Sequence, residues 1–135
     1  MNAIELSHVT KHFPGFTLQD LSLTMPSGTI CGLVGENGAG KSTTMNIICG
    51  VLKQTEGNVF IKGVNMRENP VEAKRHIGFL PQKPPLHMDL TVEEYLVHCA
   101  NMRLIPPHKV QEAVKDVMGR CGISHFSRRL IRNLS

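Results

Sequence analysis

Gly35-Glu36-Asn37-Gly38-Ala39-Gly40-Lys41-Ser42 satisfies the spacing G-x-x-x-x-G-K-[ST]. That spacing suits a polyphosphate. Backbone N–H groups converge on an anion only where the crowded positions lack a Cβ, here Gly38 and Gly40. A helix opening at the end of the loop adds about half a unit of positive charge facing the anion. Lys41 is then expected at the β/γ-phosphates as a point charge, with the Ser42 hydroxyl ligating a Mg²⁺ that bridges the same phosphates. Glu36, Asn37, Ala39 and Thr43 complete the expected binding segment. A dinucleotide-binding turn is excluded, because the glycines at 32, 35, 38 and 40 do not form G-x-G-x-x-G.

Such a loop needs a strand to deliver it and a helix to open after it. Thr29–Val34 is a continuous apolar run without alternation, which predicts a strand buried on both faces of a parallel sheet. Ser42–Leu52 carries Met45, Ile48, Cys49 and Leu52 at helical spacing, and Gly50 lies close to its end. Before the loop, Ile4–Val9 and Phe16–Met25 alternate with period two around Pro14-Gly15, which predicts an antiparallel pair. After it, Asn58–Ile61 reads as a strand, Val71–His76 as a brief helix started at Pro70, and Ile77–Leu80 as a strand stopped by Pro81.

From Gln82 onward the pattern turns helical. Thr91 is an N-cap with Glu93 and Glu94 in the first turn of a helix reaching about Arg103, and Val92, Tyr95, Leu96 and Cys99 form its apolar stripe. Ile105-Pro106-Pro107 breaks it, and Val110, Val114 and Val117-Met118 continue on a second helix to Cys121-Gly122.

Composition bounds the alternatives. The 135 residues suit one core with at most a small appendage. Apolar residues are 41% and charged residues 19%, a globular balance. No run approaches the roughly 20 apolar residues that span a bilayer, so no direct membrane insertion is expected. The N-terminus lacks the basic-then-apolar pattern of a signal peptide, which implies a cytoplasmic start. Cys31, Cys49, Cys99 and Cys121 show neither CxxC nor metal-ligand spacing, so reduced thiols are expected. The net charge is +4, but aromatic residues are 4% and no basic run is interleaved with stacking rings, so no nucleic acid is expected.

Gly35–Thr43, followed by Gly78-Phe79-Leu80-Pro81-Gln82, resembles the nucleotide-binding subunit of an ABC transporter. The resemblance implies an α/β fold: an incomplete P-loop NTPase core with N-terminal antiparallel β-strands over residues 1–82, and an appended, partial α-helical subdomain over 83–135. It implies ATP and Mg²⁺ as cofactors. By the same resemblance Gln82 senses the γ-phosphate through Mg²⁺ and the attacking water, a position suited to a neutral side chain that both donates and accepts. Phe13 takes the place of the aromatic that stacks on adenine, with Phe16 as the rival candidate; such stacking is worth about 1–3 kcal/mol. Implied partners are a transmembrane permease subunit, received near Lys83–Tyr95, and a second nucleotide-binding subunit, the same or different. The place is the cytoplasmic face of the membrane, reached through the permease. Asp89–Leu96 resembles the subunits of exporters more than those of sugar importers.

The family's next motif begins Leu-Ser and continues Gly-Gly-Gln, and this sequence reaches Leu134-Ser135. In the family the second Mg²⁺-binding Asp, the glutamate that polarises water and the switch histidine follow that motif. Phosphoryl transfer rests on positioning and charge stabilisation, so residues 1–135 are expected to hold MgATP and hydrolyse it poorly. Apolar edges left without neighbouring strands are expected to favour association. The alternative is a nucleotide-binding regulatory module that never hydrolyses. A small P-loop kinase lacks support, since no lid-like arginine arrangement is found.

Overall fold

The computed structural model describes residues 1–135, which divide into two compact units, Met1–Phe79 and Leu80–Ser135. The first unit is built on a hairpin, β1 (Asn2–Phe13) and β2 (Phe16–Pro26), closed by Pro14-Gly15 with Phe13 opposite Phe16. β1 also pairs with β3 (Glu56–Ile61), placing Ile4 opposite Ile61 and Leu6 opposite Val59. A Lys62-Gly63 turn, both residues at positive φ as a tight hairpin requires, leads to the short β4 (Val64–Asn65). The sheet runs β2-β1-β3-β4 and every pairing is antiparallel.

The hairpin carries an irregularity that alternation does not foretell. Register slips between Leu6 and Val9, and His8 and Asp20 both take left-handed backbone, φ 49° and 47°. Side chains hold the kink: His8 Nδ1 and Asp20 Oδ1 lie 2.7 Å apart, His8 N–H donates to Ser22 Oγ at 2.9 Å, and Asp20 N–H donates to Thr10 Oγ1 at 3.0 Å. Bulges of this kind bend and twist a strand.

One face of the sheet buries Leu6, Val9, Leu18, Val59 and Ile61 against Ile47 and Ile48 of α1 (Lys41–Ile48) and Ala73 of α2 (Pro70–Arg75). The stripe expected on α1 is rotated: Met45 is 42% exposed, and Thr44, Ile47 and Ile48 form the buried face. The helix stops at Cys49 because Gly50, φ 68°, turns the chain back, with Gly50 N–H donating to Ile47 O and Val51 N–H to Asn46 O. This is the Schellman closure.

Two expected strands are absent. Thr29–Val34 takes no ladder partner, with Ile30 fully exposed and Val34 90% exposed, and Ile77–Leu80 is likewise outside the sheet, with Leu80 80% exposed. A strand buried on both faces exists only where neighbours satisfy its N–H and C=O groups, and none pairs with either segment here. The parallel sheet expected around the loop is therefore not formed by these residues.

The second unit pairs α3 (Val92–Met102) with α4 (Pro107–Arg120) over a core of Val92, Ala100, Val110, Val114, Met118 and Ile131. Thr91 and Glu94 form a reciprocal capping box at 3.2 and 2.8 Å, as the cap position predicts. Val117, expected in the apolar stripe, is 43% exposed. The chain after α4 returns to the start of α3, where Leu90 and Val92 exchange backbone hydrogen bonds with Ile131 and Arg129, and Arg132 pairs with Asp89. No helix is long and apolar enough to cross a membrane.

Candidate functional site

The Gly-rich segment follows β2 through an exposed stretch without regular structure and leads into α1. Gly38 and Gly40 take φ 82° and 95°, the left-handed backbone that glycine adopts without strain. Ala39 N–H donates to Glu36 O at 3.1 Å and tightens the turn. Lys41 then reaches back across it: its ammonium donates to the carbonyl of Gly35 and to that of Glu36, the latter at 2.8 Å. A cation held only by loop carbonyls at the inside of the turn is placed where an anion would enter.

The opening of α1 is equally bare. Its N-cap is Gly40, no side chain caps it, and its first turn holds no acidic residue. The first N–H groups of a helix lack partners within it, so these donors are left to a ligand. The donor set fits a phosphate chain: a lysine ammonium, uncapped helix amides, and glycines at the turns. Ser42 stands exposed in the first turn, and Thr43 is half-buried beside it.

The supports of this turn lie outside the expected binding segment. Thr44, one of the few buried polar residues, donates its hydroxyl and its N–H to Gly40 O at 2.8 and 2.9 Å. On the other side a Cβ placed on Gly40 would stand 3.0 Å from Leu18 Cδ1 and 3.3 Å from Phe16 Cζ, so the wall behind the loop comes from β2. The hydroxyl four residues after the last glycine was a legible signal, since Thr readily bonds the i−4 carbonyl. The β2 wall is a tertiary contact and had none.

Both aromatic candidates lie at the turn of the hairpin. Phe13 is half-buried with Lys11 Nζ 5.6 Å from its ring centre, and Phe16 is 36% exposed. Their rings stack at 6.3 Å and 27°. Gln82 belongs to the second unit, where it sits exposed in a bend. Lys41, the glycines and the phenyl rings are thus brought together within the first unit.

The ABC transporter family model matches residues 18–135. The sequence is 40% identical over 94 residues to the probable multidrug ABC transporter ATP-binding protein YbhF of Escherichia coli, an alignment covering 69% of this chain and 16% of that protein. It is 35% identical over 120 residues to the hemin import ATP-binding protein HmuV of Bordetella bronchiseptica, covering 87% of this chain and 46% of that protein. A solved ATP binding subunit of an ABC transporter superposes with TM-score 0.85 over 98% of this chain and 56% of its own, at 23% identity, a likeness of fold. The chain thus spans less than half the length of these two relatives.

Proposed function

The chain belongs to the ABC transporter family, and on that premise we propose that Gly35–Thr43 holds MgATP in an ATP-binding subunit that couples the nucleotide to transport through a membrane permease. The observation that carries this reading is the Lys41 ammonium, held by the carbonyls of Gly35 and Glu36 beside an uncapped helix start. Exchange of those carbonyls for phosphate oxygens replaces neutral acceptors by charged ones, which strengthens each bond.

Ser42 is the loop residue we assign to Mg²⁺, and Gln82 is the second ligand by family resemblance alone. The cation, when bound, neutralises charge on the β- and γ-phosphate oxygens. Phe13 offers a face for the adenine ring. The organisation that goes with this reading is a nucleotide core with its β-subdomain over 1–82 and a helical subdomain over 83–135 that meets the permease near Lys83–Tyr95. A second nucleotide-binding subunit is the other partner, and the place is the cytoplasmic membrane face. The exporter assignment rests on the resemblance of Asp89–Leu96, while the hemin import relative weighs against it. Within residues 1–135 we assign no group to polarise the attacking water, so these residues hold nucleotide and turn it over poorly.

ATP binding and phosphate release by residues 1–135 and by Lys41→Ala, each with and without Mg²⁺, test the reading. Wild type should bind MgATP, and the variant should lose roughly ten- to hundred-fold in affinity, the worth of one or two charge-assisted hydrogen bonds. Equal binding removes the loop assignment. Brisk phosphate release removes the statement on turnover.

A further inference from the structure

Within the first unit the phosphate loop and the hairpin tip are packed as one piece. Phe13 and Phe16 are register partners across the turn, and their rings stack with centres 6.3 Å apart. Phe16 in turn lies against the loop, its Cζ only 3.3 Å from where a Cβ on Gly40 would be. Gly40 is the residue whose carbonyl Thr44 holds from inside α1, at 2.8 Å. It is therefore gripped by the helix on one side and by β2 side chains on the other. Leu18, the other half of that wall, is buried in the sheet core. Phe16 keeps 36% of its surface and is not in that core. A core role accounts for Leu18 and does not account for Phe16.

We propose that Phe16 is a positioning residue of the phosphate loop, keeping Gly40 in its left-handed conformation, and that Phe13 stacked upon it links the base side of the site to the phosphate side. The inference rests on the reading of Gly35–Thr43 as a nucleotide site. Glycine is free to leave φ 95° for several other regions, so the residue alone does not hold the conformation. Convergence of the N–H groups at Gly40, Lys41 and Ser42 requires that it stay. A flat ring against the open side of Gly40 supplies the restraint. A base resting on Phe13 would in turn steady Phe16, so that base and phosphates favour each other's binding.

Inorganic tripolyphosphate carries the phosphate chain without a base and separates the roles. Its binding with Mg²⁺, and that of MgATP, would be titrated on the intact protein for wild type, Phe13→Ala, Phe16→Ala, Phe16→Tyr and Lys41→Ala. Phe16→Tyr leaves a ring as good for stacking and adds a hydroxyl at Cζ, the atom that faces Gly40. Both Phe16 variants should weaken tripolyphosphate roughly ten-fold, equal to about 1.4 kcal/mol, whereas Phe13→Ala should weaken ATP by a larger factor than tripolyphosphate, since it removes the base contact as well as the ring stacked on Phe16. Should Phe16→Ala fold poorly, Phe16→Tyr carries the test, with its unfolding midpoint as the control. Unchanged tripolyphosphate affinity in Phe16→Tyr overturns the inference, whether or not ATP binding falls. Lys41→Ala keeps the two claims apart: if it also leaves tripolyphosphate binding intact, the nucleotide reading itself fails.

Discussion

The Lys41 ammonium donates to the carbonyl oxygen of Glu36 at 2.8 Å, spanning the Gly-rich turn from its far end. The bond closes the turn with a neutral acceptor on a surface-facing segment. Replacement by Met keeps the stem and removes the charge. Lys41→Met should lower MgATP affinity by on the order of ten- to hundred-fold and change unfolding free energy by less than about 1 kcal/mol. Calorimetric titration and denaturant unfolding on the same samples check both parts. A large stability loss with unchanged affinity would make Lys41 a structural tie only.

Gly57 and Gly15 share left-handed backbone, φ 84° and 81°, but not their surroundings. A Cβ on Gly57 would collide with the carbonyl of His8 at the bulge, whereas one on Gly15 meets nothing within 4 Å. Gly15→Ala should cost about 1 kcal/mol of backbone strain. Gly57→Ala adds backbone displacement and should cost about 2–5 kcal/mol. Equal unfolding midpoints for the two variants would contradict the tight packing of β3 on the bulge.

The ends of α3 make opposite predictions. Thr91→Ala removes the cap at its start and should destabilise by about 1 kcal/mol, with Thr91→Ser close to neutral. At the other end Leu104 sits at φ 59° with 74% of its surface exposed, where Gly is the usual residue. Leu104→Gly should therefore stabilise by about 0.5–1 kcal/mol, the relieved strain exceeding the added chain entropy. Urea unfolding of both variants reads the signs directly.

Burial pushes the Cys49 thiol above its ordinary value of 9.0. The fold keeps this proton where the unfolded chain has released it. Its contribution to stability is thus fully present below pH 9.0 and is lost as pH rises through the higher folded value. At about pH 8 iodoacetamide should label exposed Cys31 and Cys121 well before Cys49, because the thiolate is the reacting form. Peptide mass spectrometry over time measures the order, and Cys49 reacting first would contradict its burial.

Features made by residues near one another in the chain are legible in the residue order. Thr91 with Glu94 placed the start of α3, Gly122 the end of α4 and Pro14-Gly15 the hairpin, because caps and turns are made by residues a few positions apart, whereas the helix expected to reach Leu52 stops at Ile48. Gly35, Gly40, Lys41 and Ser42 likewise mark, through types and spacing, the segment we propose as the phosphate loop. Other features arise from contacts between distant segments. Thr29–Val34 has the composition of a buried strand, yet whether it is one depends on neighbours along both edges, which no local pattern encodes. The turn of α1 that buries Ile47 and exposes Met45 follows from where the sheet lies, and the kink at His8 and Asp20 from side chains meeting across two strands. The approach of Phe16 to Gly40 joins residues separated by a hairpin strand and a stretch without regular structure, a contact that exists only once the chain is folded.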